Sequence, residues 1–229
     1  MKKEYKLLLF DADGTLFDYD KGEAHALKTT FEKFRFNYYV DIHLPKYRHF
    51  NSQVWKMFED KQIDADSLKV ERFRKLFIDL GFCADPTNFS EAYLDALSQC
   101  RFLLPGALEI LDYLNNNYKL LLITNGLKKV QRSRLKGSEI EKYFPYVIIS
   151  EEVGSPKPET GIFEKSFELA EHSDKNSAVI IGDSLTSDIK GGENFGIDTV
   201  WFNPLNKVNS NGVNPTFEIK DLAELKNIL

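Results

Sequence analysis

Five short apolar runs constrain this chain most: residues 6–10, 119–124, 146–150, 178–182 and 199–202. Each is four to six residues long and rich in Leu, Ile, Val or aromatic residues, the length and composition of a buried strand. Strands apolar on both faces belong in a parallel sheet covered by helices on both sides. Helical patterns fill the spaces between the later runs. Ala107, Leu108, Leu111 and Leu114 share one helix face, and Ile162, Phe163, Phe167 and Ala170 share another. Alternating strand and helix imply an α/β fold, a doubly wound parallel sheet.

The gap between the first two runs breaks the alternation, because residues 19–102 read as helices only. Asp20 and Glu23 have capping-box spacing, ahead of a stripe of Ala24, Leu27, Phe31 and Phe34. Val54, Trp55 and Phe58 suggest a second helix, and Leu68, Phe73, Leu76, Phe77 and Leu80 a third, ended by Gly81. Asn88 and Glu91 are expected to cap a fourth, which holds Ala92, Ala96 and Leu97. Leu104-Pro105-Gly106 reads as the return hinge. The expected organisation is a core of residues 1–18 and 103–229 with a helical insertion over 19–102. A helical module that starts directly after a reactive turn is suited to act as a lid and substrate selector.

Ligands of open parallel sheets bind outside the carboxyl ends of the strands, so the residues that follow each run matter most. The first run ends in Asp11-Ala12-Asp13-Gly14. A carboxylate at the end of a buried strand is costly unless its charge is offset. The second run ends in Thr124-Asn125-Gly126, the loop after the third carries Lys157-Pro158, and the fourth is followed by Asp183-Ser184-Leu185-Thr186-Ser187-Asp188. Two acidic clusters, one lysine and a hydroxyl–amide pair suit a hard cation with a bound phosphoryl group. Mg²⁺ takes oxygen ligands and keeps several waters, so a few carboxylates suffice. Asp11 and Asp183 are candidate direct ligands, with the backbone carbonyl of Asp13 as a third. Lys157 supplies a point charge for phosphoryl oxygens, and the Thr124 hydroxyl can stabilise charge on the transferring group.

Composition narrows the classes of partner. A net charge of −5 offers no basic field for nucleic acid. No apolar run approaches membrane-spanning length. The N-terminal apolar run is too short for a signal sequence, so a cytoplasmic location is expected. Cys83 and Cys100 lack metal or redox spacing and read as small buried hydrophobes in a reducing compartment. His25, His43, His49 and His172 show no ligand spacing and read as solvated or packing residues, and Ser155 and Ser184 as turn residues. Lys128, Lys129, Arg132, Arg134 and Lys136 read as a solvated helix face. The stretch 203–214 reads as a loop.

Phe10-Asp11-Ala12-Asp13-Gly14-Thr15-Leu16, Thr124-Asn125-Gly126, Lys157-Pro158 and Gly182-Asp183-Ser184-Leu185-Thr186-Ser187-Asp188 resemble, in order and spacing, the four signature motifs of the haloacid dehalogenase-like phosphatases. The resemblance spans essentially the whole chain. It implies a Rossmann-like core with an inserted α-helical cap. By that resemblance Asp11 is the nucleophile and Asp13 the general acid/base, while Thr124, Asn125 and Lys157 hold the phosphoryl group. The metal, Mg²⁺ or Mn²⁺, falls to Asp11, Asp13 and Asp183, with Asp188 acting through another ligand or through a water. An acid at position 13 is what phosphate-ester-hydrolysing members carry, whereas the dehalogenases have an aromatic residue there and no metal.

Residues 11–18, 154–163 and 182–192 are similar to the pyrimidine 5′-nucleotidase branch, which implies a nucleoside monophosphate as substrate. Gly14 departs from that branch, many members of which have a second Asp there. Aromatic residues follow the reactive turn, and Phe17 and Tyr19 are candidate contacts to a nucleobase. Alternatives are a sugar-phosphate or phosphoglycolate phosphatase, a phosphotransferase making a sugar bisphosphate, and a phosphoryl-binding regulator without activity. The regulator is expected to lack one of Asp11, Asp13 or Asp183, all of which are present. The expected partner is a small-molecule phosphomonoester, bound by a monomer or weak homodimer.

Overall fold

A computed structural model describes residues 3–209 and 212–229. Met1 and Lys2 of the N-terminal stretch, and Ser210 and Asn211 of the Asn-rich stretch, lie outside the described residues. The strands are β1 (Leu7–Phe10), β2 (Lys119–Thr124), β3 (Tyr146–Ile149), β4 (Ala178–Gly182), β5 (Asp198–Phe202) and β6 (Phe217–Ile219). The helices are α1 (Tyr19–Lys33), α2 (Val40–Glu59), α3 (Ala65–Leu80), α4 (Pro86–Ser98), α5 (Ala107–Leu114), α6 (Lys128–Leu135), α7 (Ser150–Val153), α8 (Gly161–Leu169), α9 (Lys190–Phe195) and α10 (Leu225–Ile228). Two compact units result, Met1–Tyr19 with Arg101–Leu229, and Asp20–Cys100.

The first unit holds a six-stranded sheet in the order β3-β2-β1-β4-β5-β6. Every pairing is parallel. β1 is buried at every residue because β2 and β4 flank it and both its faces are covered. Leu8 and Phe10 face a layer that includes Ile110, Leu111 and Leu114 of α5. Leu7 and Leu9 face Ile162, Phe163 and Phe167 of α8. The order turns back on itself at β1, with β2 on one side and β4 on the other. That is the topological switch point, where open α/β sheets leave a crevice at their carboxyl edge. Asp11 and Asp183 directly follow β1 and β4 and stand at that edge.

Five of these strands coincide with the five apolar runs. The sixth, β6, is only three residues long, and its central Glu218 is exposed. It lacks an apolar run because it forms the sheet edge and pairs with β5 alone.

The second unit contains α2, α3, α4 and most of α1. Its centre is a cluster of rings in which Phe31, Phe73, Phe77 and Phe89 meet mostly edge to face. α3 is capped by the Asp64 side chain and ends at Gly81, whose φ of 68° is left-handed, as the sequence leads one to expect. Three expectations need correction here. α1 begins at Tyr19, so Asp20 lies in its first turn, and Glu23 is buried against Arg48 Nε at 2.7 Å instead of closing a capping box. α4 is capped by Asp85 with Pro86 at its first position, so Asn88 lies within the helix. Cys83 is exposed, whereas Cys100 is buried as expected.

Candidate active site

The carboxyl edge of β1 presents the Asp-containing turn. Gly14 carries a φ of 84°, and a Cβ there would lie 2.8 Å from Asp183 Oδ2. Conformation and space therefore both call for glycine. Asp11 itself is buried. Its Oδ1 accepts Lys157 Nζ at 2.6 Å, and its Oδ2 accepts the Thr15 hydroxyl at 3.1 Å.

Lys157 is fully buried and bridges two carboxylates, because its Nζ also donates to Asp188 Oδ1 at 2.6 Å and to the Ile123 carbonyl at 3.0 Å. Burial alone would push its ammonium down, but the Asp11 and Asp188 carboxylates outweigh it, and the net shift is upward. The Lys157 loop is pinned by Asn125. The Asn125 amide nitrogen donates to the Lys157 carbonyl at 2.8 Å, and its oxygen accepts the Lys157 N–H at 2.8 Å. Most of the Asn125 side chain is thus committed to placing Lys157.

Asp183 and Asp188 follow β4. The 183–189 turn packs tightly against the strand end, and a Cβ on Gly182 would sit 2.3 Å from the Asp188 carboxyl group. Asp188 is buried, and its Oδ2 accepts the Ser184 N–H at 3.0 Å. Asp183 is half-buried, with its carbonyl bound by Trp201 Nε1 at 3.0 Å and Lys207 Nζ 3.9 Å from its carboxylate.

Asp11, Asp183 and Asp188 each offer a carboxylate oxygen, all within 4.8 Å of one another. Burial pushes Asp183 up to about 7, with the Asp188 carboxylate adding to the shift. Burial, then repulsion from Asp188, also raises Asp11 well above the usual carboxylate range. When ionised, three carboxylates against the buried ammonium of Lys157 and the exposed one of Lys207, 3.9 Å from Asp183, leave a surplus of negative charge at a largely buried place. An all-oxygen donor set with surplus charge fits a hard divalent cation.

The Asp13 carboxylate does not join this cluster. Its Oδ2 accepts Gln131 Nε2 at 2.6 Å, and its Oδ1 pairs with Arg134 Nη2. Thr124 is buried at the end of β2, where its hydroxyl accepts Gln131 Nε2 at 2.9 Å and the Gly126 N–H at 3.0 Å.

Two expectations fail here. Phe17 is 1% exposed and packs in the sheet core with the Arg134 guanidinium 4.5 Å from its ring centre. It is a core residue rather than a substrate contact, because the turn after Asp13 folds back, with its Gly14 N–H donating to the Phe17 carbonyl. Tyr19 is half-buried at the start of α1. Arg134 is also buried, whereas Lys128, Lys129, Arg132 and Lys136 are exposed as expected. Gln131 and Arg134 are the residues that sequence reading missed. The signal was their helical spacing to Leu135 and Val130, which places both on the apolar face of α6.

The family profile for haloacid dehalogenase-like hydrolases matches residues 8–202. The HAD-hydrolase YfnB of Bacillus subtilis is 35% identical over 99% of this chain and 96% of its own. A crystal structure of YfnB bound to magnesium superposes with a TM-score of 0.94, covering 99% of both chains. The pyrimidine 5′-nucleotidase PynA of Streptococcus pneumoniae is 37% identical over 98% of this chain and 97% of its own. The pyrimidine 5′-nucleotidase YjjG of Escherichia coli is 32% identical over 97% and 96%.

Proposed function

The chain belongs to the haloacid dehalogenase-like hydrolase family, and on that premise we propose that it is a Mg²⁺-dependent phosphatase for a nucleoside 5′-monophosphate. The observation that carries the reading is the set of three carboxylates within 4.8 Å, one of them held by a buried lysine and a threonine hydroxyl. The likeness to two pyrimidine 5′-nucleotidases along nearly their full length supports the substrate class.

Asp11, Asp183 and Asp188 would hold the cation, which when bound offsets the repulsion between a carboxylate nucleophile and an anionic ester. A carboxylate oxygen of Asp11 attacks phosphorus, and the ester P–O bond breaks. The leaving oxygen takes its electron pair together with a proton from the Asp13 carboxyl group. Water then attacks the aspartyl-phosphate, gives a proton to the Asp13 carboxylate and releases phosphate, which regenerates Asp11. Lys157 and the Thr124 hydroxyl offer positive charge and a hydrogen bond to the phosphoryl oxygens. Asn125 contributes by fixing the Lys157 loop. The helical unit, Asp20–Cys100, is taken as the family's cap, and Tyr19 remains a candidate substrate contact.

The test is phosphate release from a panel of nucleoside monophosphates, hexose phosphates and phosphoglycolate, with Mg²⁺ or with EDTA. The expected outcome is a preference for pyrimidine monophosphates such as dUMP and dTMP that EDTA abolishes. Preference for phosphoglycolate or a hexose phosphate overturns the substrate class and leaves the phosphatase chemistry standing.

A further inference from the structure

Asp13 lies at the open edge of the site, with its side chain 26% exposed, whereas the two groups that hold it are buried. We propose that Gln131 and Arg134 of α6 are positioning residues that fix the Asp13 carboxyl group for proton transfer. The proposal rests on the phosphatase reading above.

The hydrogen bonds leave little freedom. Gln131 Nε2 has two hydrogens, one directed to Asp13 Oδ2 and one to the Thr124 hydroxyl. Arg134 Nη2 also has two, one for Asp13 Oδ1 and one for Gln131 Oε1, the latter at 2.7 Å. An amide turned the other way would put its oxygen against the carboxylate, so the orientation of Gln131 is determined by its partners. Each Asp13 oxygen gives one lone pair to α6 and keeps another on which a proton can arrive or leave. The same amide joins Asp13 to Thr124, so the acid/base and the phosphoryl contact share one frame.

Arg134 is an expensive residue for this place. It is 1% exposed, its Nε has no hydrogen-bond partner, and its face lies on Phe17. Buried ion pairs seldom stabilise a fold more than apolar side chains of the same volume would. A charged fork at this position is therefore better explained by what it orients than by stability. Gly126 fits the same design, since a Cβ there would lie 2.0 Å from Gln131 Nε2 and block the amide. Precise placement matters because small displacements of a catalytic group cost large factors in rate.

The distinguishing experiment varies the leaving group. The p-nitrophenolate of p-nitrophenyl phosphate leaves without protonation, whereas the phenolate of phenyl phosphate needs a proton donor. For Arg134→Met and Gln131→Leu, kcat/KM for phenyl phosphate should fall about ten- to a hundred-fold, a part of what a general acid supplies. For p-nitrophenyl phosphate it should change less than about five-fold, well short of a general acid's contribution. Both variants should show a burst of p-nitrophenolate, because the phosphorylated enzyme waits for base-assisted attack by water. Arg134→Lys should recover part of the phenyl phosphate rate. Far-ultraviolet circular dichroism checks that each variant is folded, and Gln131→Leu tests the idea even if Arg134→Met fails to fold. Equal losses on both esters, or no loss on either, overturn the positioning role and leave the phosphatase reading intact. A wild-type chain inactive on every ester overturns the phosphatase reading and this proposal with it.

Discussion

At the scale of single residues, the site separates two carboxylates that stand one residue apart in the chain. Asp11 is buried between Lys157 and Thr15, while Asp13 turns to α6. Their environments suit a nucleophile and a proton carrier. Asp11→Asn should leave no detectable turnover while the circular dichroism spectrum stays unchanged, because the substitution keeps shape and removes the proposed nucleophile. Near-normal activity in the purified variant would dismiss the assignment. Asp13→Asn should cut hydrolysis of an alkyl phosphate by about 10²–10⁴, the usual contribution of a general acid/base, while a slow single phosphorylation by p-nitrophenyl phosphate persists. The motifs around Asp11, Thr124 and Asp183 were legible because each sits where a buried strand must end, and Lys157 because Pro156 and Pro158 flank it in the loop beyond the third strand. Arg134 was not, since charge in a basic run reads as a solvated face. Its spacing to Val130 puts it on the apolar face of α6, but only the packing shows that the guanidinium is buried and meets Asp13.

At the scale of elements, α2 shows how a side chain can end a helix in place of a standard cap. The Tyr39 N–H, ahead of the first turn, donates to His43 Nδ1 at 2.9 Å. The imidazole is buried, 4.8 Å from the Phe31 ring centre, with Phe82 and Tyr38 around it and Lys46 one turn on. Accepting that bond requires the neutral ring, and burial followed by the Lys46 charge lowers its pKa from the ordinary 6.5. A depressed value means that the folded state binds fewer protons than the unfolded chain as pH falls. The contribution is whole above about pH 6.5 and is lost below it. The raised Asp11 and Asp183 carboxyl groups add a slope of the opposite sign, so the His43 part is read as the difference between wild type and His43→Gln in denaturant melts. That difference should shift against the wild type as pH falls below about 6.5, and a difference that does not change with pH would show that His43 does not cause it. The aromatic stripes that build this unit were readable from helical spacing. Its caps were less so, because Asp20, Asp85 and Asn88 are all plausible starts until the backbone chooses one.

At the scale of the whole molecule, the sheet order β3-β2-β1-β4-β5-β6 brings four distant segments to one edge. The surplus of carboxylate there should make stability depend on the cation. Mg²⁺ at about 100 times its dissociation constant adds about 2.7 kcal/mol to a fold that alone can bind it. For a chain of this size the matching rise in Tm is about 5–10 °C. Differential scanning fluorimetry of the wild type with and without Mg²⁺ should show the rise, and Asp183→Asn should erase it. A rise of the same size in that variant would place the cation elsewhere. None of the described helices is long and apolar enough to cross a membrane. Residue type along the chain carries the α/β class, five of the six described strands, the acids and threonine at the strand ends and the lysine in the loop beyond the third, because burial on both faces and chemistry near strand ends are written locally. Tertiary structure alone decided that Phe17 belongs to the core, that Asn125 serves the Lys157 loop, and that Gln131 and Arg134 hold Asp13. Those outcomes depend on which surfaces meet, across 32 residues of chain for Asn125 and Lys157 and more than a hundred for Asp13 with Gln131 and Arg134, and local spacing can mark a buried face without naming its partner.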